Sequence, residues 1–131
     1  MDEDQLGPVV HLSIHSFTPR FAGRARAVDV GLLYDPAHGR ERAFAGEWLT
    51  ALRARRGDLR LRRNQPYRGT SDGLTTFLRA RLDERRYLGL ELEISQRFPR
   101  GSSARWRELR RDVEGALRTA LTSPAVARWS R

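Results

Sequence analysis

The chain contains no cysteine and no lysine, has only three histidines, and holds no apolar run near the roughly 20 residues that a membrane helix needs. Without cysteine there is no disulfide framework, no Cys-ligated zinc or iron–sulfur centre and no thiol nucleophile, so a metal ion could rest only on His, Asp and Glu. The opening Met1-Asp2-Glu3-Asp4 is acidic where a signal peptide is basic and then apolar. These absences lead us to expect a cytoplasmic chain. Its 131 residues are of single-domain size, and a chain of that length buries about two-thirds of its unfolded surface, enough for one core.

All 25 basic residues are arginine, against 16 Asp and Glu, for a net charge of +9. Planar guanidinium forks suit phosphate, and a basic module for nucleic acid or an acidic protein partner is the alternative reading of this chain. That reading requires arginines gathered on one face. Because every basic position is Arg, including those on solvated helix faces, a sequence-wide habit explains the charge more simply. The i, i+4 spacings of Arg110 with Glu114 and of Glu114 with Arg118 already suggest local pairing.

The pattern along the chain predicts alternating strands and helices. Val9 to Phe17 reads as a strand stopped by Thr18-Pro19, and Val28 to Tyr34 as a second, closed by the turn-rich Asp35-Pro36-Ala37-His38-Gly39. Arg40 to Arg56 carries Phe44, Trp48, Ala51 and Leu52 at helical spacing, and Gly57 ends it. Leu59 to Arg63 is a short third strand. Ser71 suits the N-cap of a second helix with a Leu74, Phe77, Leu78 and Leu82 stripe, followed by a strand from Leu88 to Ser95. A last helix starts near Ser103, places Trp106, Leu109, Val113, Leu117, Ala120 and Leu121 on one face, and ends at Pro124. The expected architecture is a three-layer α/β sheet with helices on both faces, mixed or mostly parallel, in the order β-β-α-β-α-β-α. It divides the chain into an acidic leader (1–8), one domain (9–124) and a tail (125–131).

In sheets of this kind ligands sit at the carboxyl ends of strands, which directs attention to three places. The two-residue period puts His11, Ser13 and His15 on one face of the first strand. His11 and His15, four residues apart, lie about 13 Å from each other at 3.3 Å per residue, too far to chelate one ion. His15 ends the strand, whereas His38 is expected to be exposed in its turn. In the last strand Glu91 and Glu93 share a face. They belong either to a solvated edge or to arginine pairs, or else Glu93 opens into the same cleft as His15 as a general base whose pKa burial raises. Asn64-Gln65-Pro66-Tyr67-Arg68-Gly69 is a good turn on its own, and as a site it offers an amide, a phenol and a guanidinium suited to a carboxylate.

Leu12-Ser13-Ile14-His15-Ser16-Phe17-Thr18-Pro19, then Asp29-Val30-Gly31-Leu32-Leu33-Tyr34, then the Asn64 to Gly69 run and Leu92-Glu93-Ile94 resemble, in order and spacing, the later half of the N-formylglutamate amidohydrolase family. That family is related to the zinc carboxypeptidases and aspartoacylases, whose His-Ser-aromatic segment at a strand end is similar to His15-Ser16-Phe17. The likeness runs roughly from Val9 to Ala120 and implies part of a phosphorylase/hydrolase-like fold. It also implies zinc as cofactor with His15 as the third ligand, Glu93 as the residue that activates water and shuttles its proton, and Asn64, Tyr67 and Arg26 as substrate-binding residues. The implied reaction is hydrolysis of the amide bond of an N-acyl amino acid.

The resemblance has two gaps. The family's first two zinc ligands, a His followed closely by an acidic residue, precede the His-Ser-Phe run, and the eight residues before Val9 hold no His. The family also follows its Glu-Ile with Arg and an acidic residue, where this chain has Ser95-Gln96-Arg97. We therefore expect an incomplete metal site, an unpaired sheet edge and uncovered apolar helix faces. Self-association, or a partner chain that supplies the missing half, would follow from them.

Overall fold

The computed structural model describes residues 7–130, so most of the expected acidic leader lies outside the described residues. The elements are β1 (Val9–Phe17), β2 (Arg20–Phe21), β3 (Arg24–Ala25), β4 (Val30–Leu33), α1 (Gly39–Arg55), β5 (Leu61–Arg63), α2 (Leu74–Arg81), β6 (Tyr87–Ser95), α3 (Ser103–Leu121) and α4 (Pro124–Ala127), with a final 3-10 turn at Arg128–Ser130. The main sheet runs β1-β6-β4-β5. β1 with β6 and β4 with β5 are parallel, and β4 with β6 is antiparallel. This is the α/β sheet expected from the sequence, with one addition: β2 and β3 form a separate small hairpin. Its turn residues Ala22 and Gly23 both have positive φ, 53° and 79°, the geometry that tight hairpins favour.

The core lies on one face of the sheet. Leu88, Leu90, Leu92 and Ile94 of β6 meet Val30 and Leu32 of β4, and above them pack Phe44, Trp48, Leu49 and Leu52 of α1 and Leu109, Val113 and Ala116 of α3. Burial of each large apolar side chain here is worth about 1.5–3 kcal/mol. Trp48 stays fully buried because its indole N–H donates to the Val113 carbonyl at 3.2 Å. The helices start where the sequence supplies caps: Ser102 accepts from the Arg105 N–H at α3 and Ser123 from the Val126 N–H at α4. Of the two spacings noted on α3, Glu114 and Arg118 pair at 2.7 Å, while Arg110 lies over the Trp106 ring instead.

His38 corrects an expectation. Far from being exposed in its turn, it is buried and caps α1, its Nδ1 accepting from the Glu41 N–H. That leaves Nε2 as the protonated nitrogen, which donates to the Tyr87 carbonyl at 3.0 Å. Ser71 is likewise not the cap of the second helix. α2 begins at Leu74 behind Gly73, which provides no side-chain cap. The apolar stripe of α2 is uncovered, with Leu74 58% and Phe77 51% exposed, and the buried residue of the helix is Thr75.

α2 sits on the face of the sheet opposite α1 and α3, and one buried carboxylate holds it there. Glu41, in the first turn of α1 and with no exposed surface, accepts from the backbone N–H groups of Asp35 and Gly89 and from Arg79 Nε, each at 2.9 Å. Arg79 in turn donates to the carbonyls of Gly89 at 2.9 Å and Gly69 at 3.2 Å. Removing one partner of a buried pair strands the other charge. Glu41→Ala is expected to cost about 3–5 kcal/mol in urea unfolding. A loss below about 1 kcal/mol, the range of a surface pair, would contradict this account.

Candidate functional site

Because β1 and β6 run parallel and in register, their carboxyl ends coincide, and His15 stands opposite Glu93 as Ser13 stands opposite Glu91. All four side chains therefore share the face that α2 covers in part. The two glutamates differ. Glu91 is half-buried and accepts from the Thr75 hydroxyl at 3.1 Å. Glu93 is only 4% exposed, and its Oε2 is buried without a hydrogen-bond partner among the described residues. Burial pushes its carboxyl above the ordinary carboxylate range, and the Glu91 charge adds to this, while His15 and Arg26 pull the other way. β6 is a central strand, so its polar face is not a solvated edge. Next to it the exposed His15 has its Nε2 3.0 Å from the Ser13 hydroxyl.

The Asn64 to Gly69 run closes over this strand end. Asn64 adopts φ 53°, which its short polar side chain tolerates. Its Oδ1 accepts from the Tyr34 N–H at 3.0 Å and the Gly69 N–H at 2.9 Å, so the amide oxygen pins the loop to the end of β4. The loop can lie this close because Gly31 and Gly69 have no side chain. A Cβ on Gly31 would fall on the Gln65 carbonyl, and one on Gly69 on the Tyr34 backbone.

The loop delivers Tyr67, whose hydroxyl accepts from Arg26 Nη1 at 3.2 Å. The Arg26 guanidinium also lies 4.8 Å from the Phe21 ring centroid, 5.4 Å from Tyr67 and 5.6 Å from Phe17. Rings and a phenol thus orient this cation. Sequence reasoning missed Phe17 and Phe21 in this role. The available signal was the pair of aromatics flanking Thr18 to Arg20, and the two-residue strands that aim Phe21 are too short to show a period.

A second buried carboxylate supports the strand end from below. Asp29 accepts from the Arg60 N–H at 2.7 Å, from Arg60 Nη2 at 3.0 Å and from Arg97 Nη2 at 2.9 Å. Burial alone would raise its pKa, but the hydrogen bonds from Arg60 and Arg97 outweigh it and hold the carboxyl below its ordinary value. Arg97, one of the residues at which the chain departs from the family pattern, is therefore tied into the fold.

Of the five candidates, His15, Glu93 and Tyr67 line one cleft of about 340 Å³. Arg26 adjoins it through Tyr67, and Asn64 sits at the base of the loop with its amide oxygen already engaged. The other imidazoles lie elsewhere: His11 Nδ1 is 2.7 Å from the Tyr87 hydroxyl, and His38 caps α1. Among the described residues no group of three or more His, Cys, Asp or Glu is placed to hold a metal ion. A catalytic zinc takes three protein ligands and a water, so the residues present do not by themselves fit the metal that the family resemblance implies. Five of the arginines are held in pairs: Arg60 and Arg97 with Asp29, Arg55 and Arg56 with Asp112, and Arg79 with Glu41.

The strand-end cleft of this three-layer α/β sheet thus sets a buried carboxylate beside an imidazole, with an oriented guanidinium adjoining it through Tyr67. The family model for N-formylglutamate amidohydrolase matches residues 1–98, and the chain belongs to that family. It is also similar to the crystal structure of gene product Atu2144 from Agrobacterium tumefaciens, with 31% identity and a TM-score of 0.66 over 88% of this chain. The match spans 43% of that protein, so the chain corresponds to less than half of its structural neighbour. No curated protein matches it.

The unpartnered Glu93 oxygen generates a stability prediction. A carboxyl whose pKa is raised on folding binds more protons in the native state, so its ionisation opposes folding increasingly as pH rises above the ordinary value of 4.5. Glu93→Gln is therefore expected to be more stable than the parent at pH 7, with the difference shrinking as pH falls from the raised folded value toward 4.5 and levelling off below it. Urea unfolding across that range checks this, and a variant less stable than the parent at pH 7 would show that the fold needs the charge.

Proposed function

We propose that this chain carries the water-activating and substrate-gripping portion of an amidohydrolase that cleaves the amide bond of an N-acyl amino acid, N-formylglutamate being the first candidate. One observation carries this reading: Glu93, buried and with a free oxygen, faces the exposed His15 across the ladder in the same cleft as Tyr67. A carboxylate with a raised pKa and a free oxygen is suited to take the proton of a water attacking the amide carbonyl and to return it to the leaving amine. Arg26, held by Tyr67 and flanked by aromatic rings, is suited to bind the substrate carboxylate through two parallel N–H···O bonds. Asn64 acts one step back, by holding the loop that aims Tyr67.

Zinc is the cofactor that family membership suggests, and His15 is the one imidazole that this chain offers it. We further propose a cytoplasmic setting; among the described residues no helix is long and apolar enough to cross a membrane.

Titration of the isotope-labelled chain with N-formyl-L-glutamate should shift NMR resonances of Arg26, Tyr67 and His15, and Arg26→Ala should abolish the shifts. In any hydrolytically competent form, Glu93→Gln should lower kcat by about 10²–10⁴ with little change in KM, while Arg26→Ala should act mainly on KM. A chain that neither binds nor, in any form, hydrolyses an N-acyl amino acid overturns the reading.

A further inference from the structure

The turn between Tyr67 and α2 is firmly held and leaves one cation unengaged. The Ser71 N–H donates to the Arg68 carbonyl at 3.1 Å, and the Thr76 hydroxyl donates to the Ser71 carbonyl at 2.6 Å. Gly69, between them, donates to Asn64 Oδ1 and accepts from Arg79. Arg68 is thus fixed at its backbone, while its guanidinium has no hydrogen bond or ion pair among the described residues. It lines the cleft of His15 and Glu93 together with Gly73 and Leu74, the start of α2. That helix start is open as well. Its first hydrogen bond runs from the Phe77 N–H to the Gly73 carbonyl, and Gly73 provides no side-chain cap. The preceding N–H groups therefore have no partner within the helix and carry the positive end of its dipole. A second observation points to a ligand at this place: Glu93, only 4% exposed, brings an unpartnered oxygen to the same cleft.

We propose that Arg68 and the start of α2 form a second anion subsite, which takes the side-chain carboxylate of the substrate and so restricts the site to N-acyl derivatives of acidic amino acids. This inference rests on the amidohydrolase reading, in which Arg26 holds one carboxylate and Glu93 serves the amide. A guanidinium fork grips one carboxylate, and Arg26 also bonds Tyr67 and lies among rings, so a second carboxylate needs a second group. Arg68 follows Tyr67 directly in the chain, and the loop that positions Arg26 through Tyr67 therefore sets the position of Arg68 too. Glu91 and Asp72 line the same cleft, and their charge opposes an anion held by backbone N–H groups alone. The Thr75 hydroxyl engages one oxygen of Glu91, but the offsetting positive charge comes from Arg68, which makes it the specificity-determining residue.

The experiment titrates the isotope-labelled full chain, followed by NMR, with N-formyl-L-glutamate, with its neutral isostere N-formyl-L-glutamine, and with glutarate, which has two carboxylates and no amide. The glutamate compound is expected to bind about tenfold more tightly than the glutamine compound, the worth of one charge-assisted contact. It should also shift the Gly73 and Leu74 amides, which the glutamine compound leaves in place. Arg68→Gln should weaken the glutamate compound to the level of the glutamine compound, whose own affinity stays the same. Because the Arg68 guanidinium has no partner among the described residues, that variant should keep the parent spectrum away from the cleft. Equal affinity for the two compounds in the parent, a preference that survives in Arg68→Gln, or Gly73 and Leu74 amides that do not respond each overturns the subsite. Failure of the functional reading is separable. Glutarate that binds through Arg68, while no N-acyl amino acid is bound or hydrolysed, leaves the subsite standing without the reaction. Hydrolysis of N-acyl amino acids without regard to side-chain charge does the reverse, and absence of binding by all three compounds overturns both.

Discussion

The buried ion pair of Glu41 and Arg79 is the constraint on which the site depends. Both partners would be costly in the low-dielectric interior if left alone, and each is instead satisfied several times over. Glu41 gathers the turn before α1, the β6 backbone at Gly89 and the α2 guanidinium onto one carboxylate. Arg79 extends the connection to the Gly69 carbonyl, at the end of the loop that carries Tyr67. Without this pair, α2 would rest on the sheet through little more than Thr75. The roof over Glu91 and Glu93 would then have no fixed height. Hydrophobic burial orders the α1 and α3 side of the sheet, and hydrogen-bonded charge orders the other.

Among the described residues three carboxylates are buried, and they are treated differently. Glu41 is saturated by two backbone N–H groups and a guanidinium. Asp29 is saturated by the Arg60 backbone and by two guanidinium forks. Glu93 retains an oxygen with no partner. In a sequence with 25 arginines a structural glutamate at that depth could readily have been paired, as its two counterparts are. Leaving one polar atom unsatisfied costs about 1–3 kcal/mol, and such costs gather where a group must remain free to act on something else. This contrast within one molecule, more than the raised pKa alone, supports the proposal that Glu93 is the working group.

The order of the main strands and helices along the chain, the amphipathic segments and the strand-end location of His15 and Glu93 were legible because burial imposes a period. Leu88 to Ile94 alternates with Glu91 and Glu93, and Phe44, Trp48 and Leu52 recur at helical spacing. What was not legible depends on single contacts. His38 looks like an exposed turn residue until the Glu41 N–H and the Tyr87 carbonyl are found on its two nitrogens. The hairpin that aims Phe21 has strands of two residues, below the length at which alternation means anything. The α2 stripe has the spacing of a core face, yet periodicity records only that a face is apolar and not whether this chain supplies its cover.

The absence of lysine bears on the site as well as on the charge. Arg79 reaches a carboxylate and two carbonyls from one planar group, which an ammonium on a flexible stem satisfies less well. The same planarity lets Arg26 lie among three rings and still direct an N–H to Tyr67, and it lets Arg60 and Arg97 share one oxygen of Asp29. An all-arginine composition is consistent with a sequence-wide bias, but the fold has used it. The rigid forks replace apolar contacts on the face of the sheet where the strand-end cleft must stay polar, and so let a small domain hold its loops over Glu93 without filling the space in front of it.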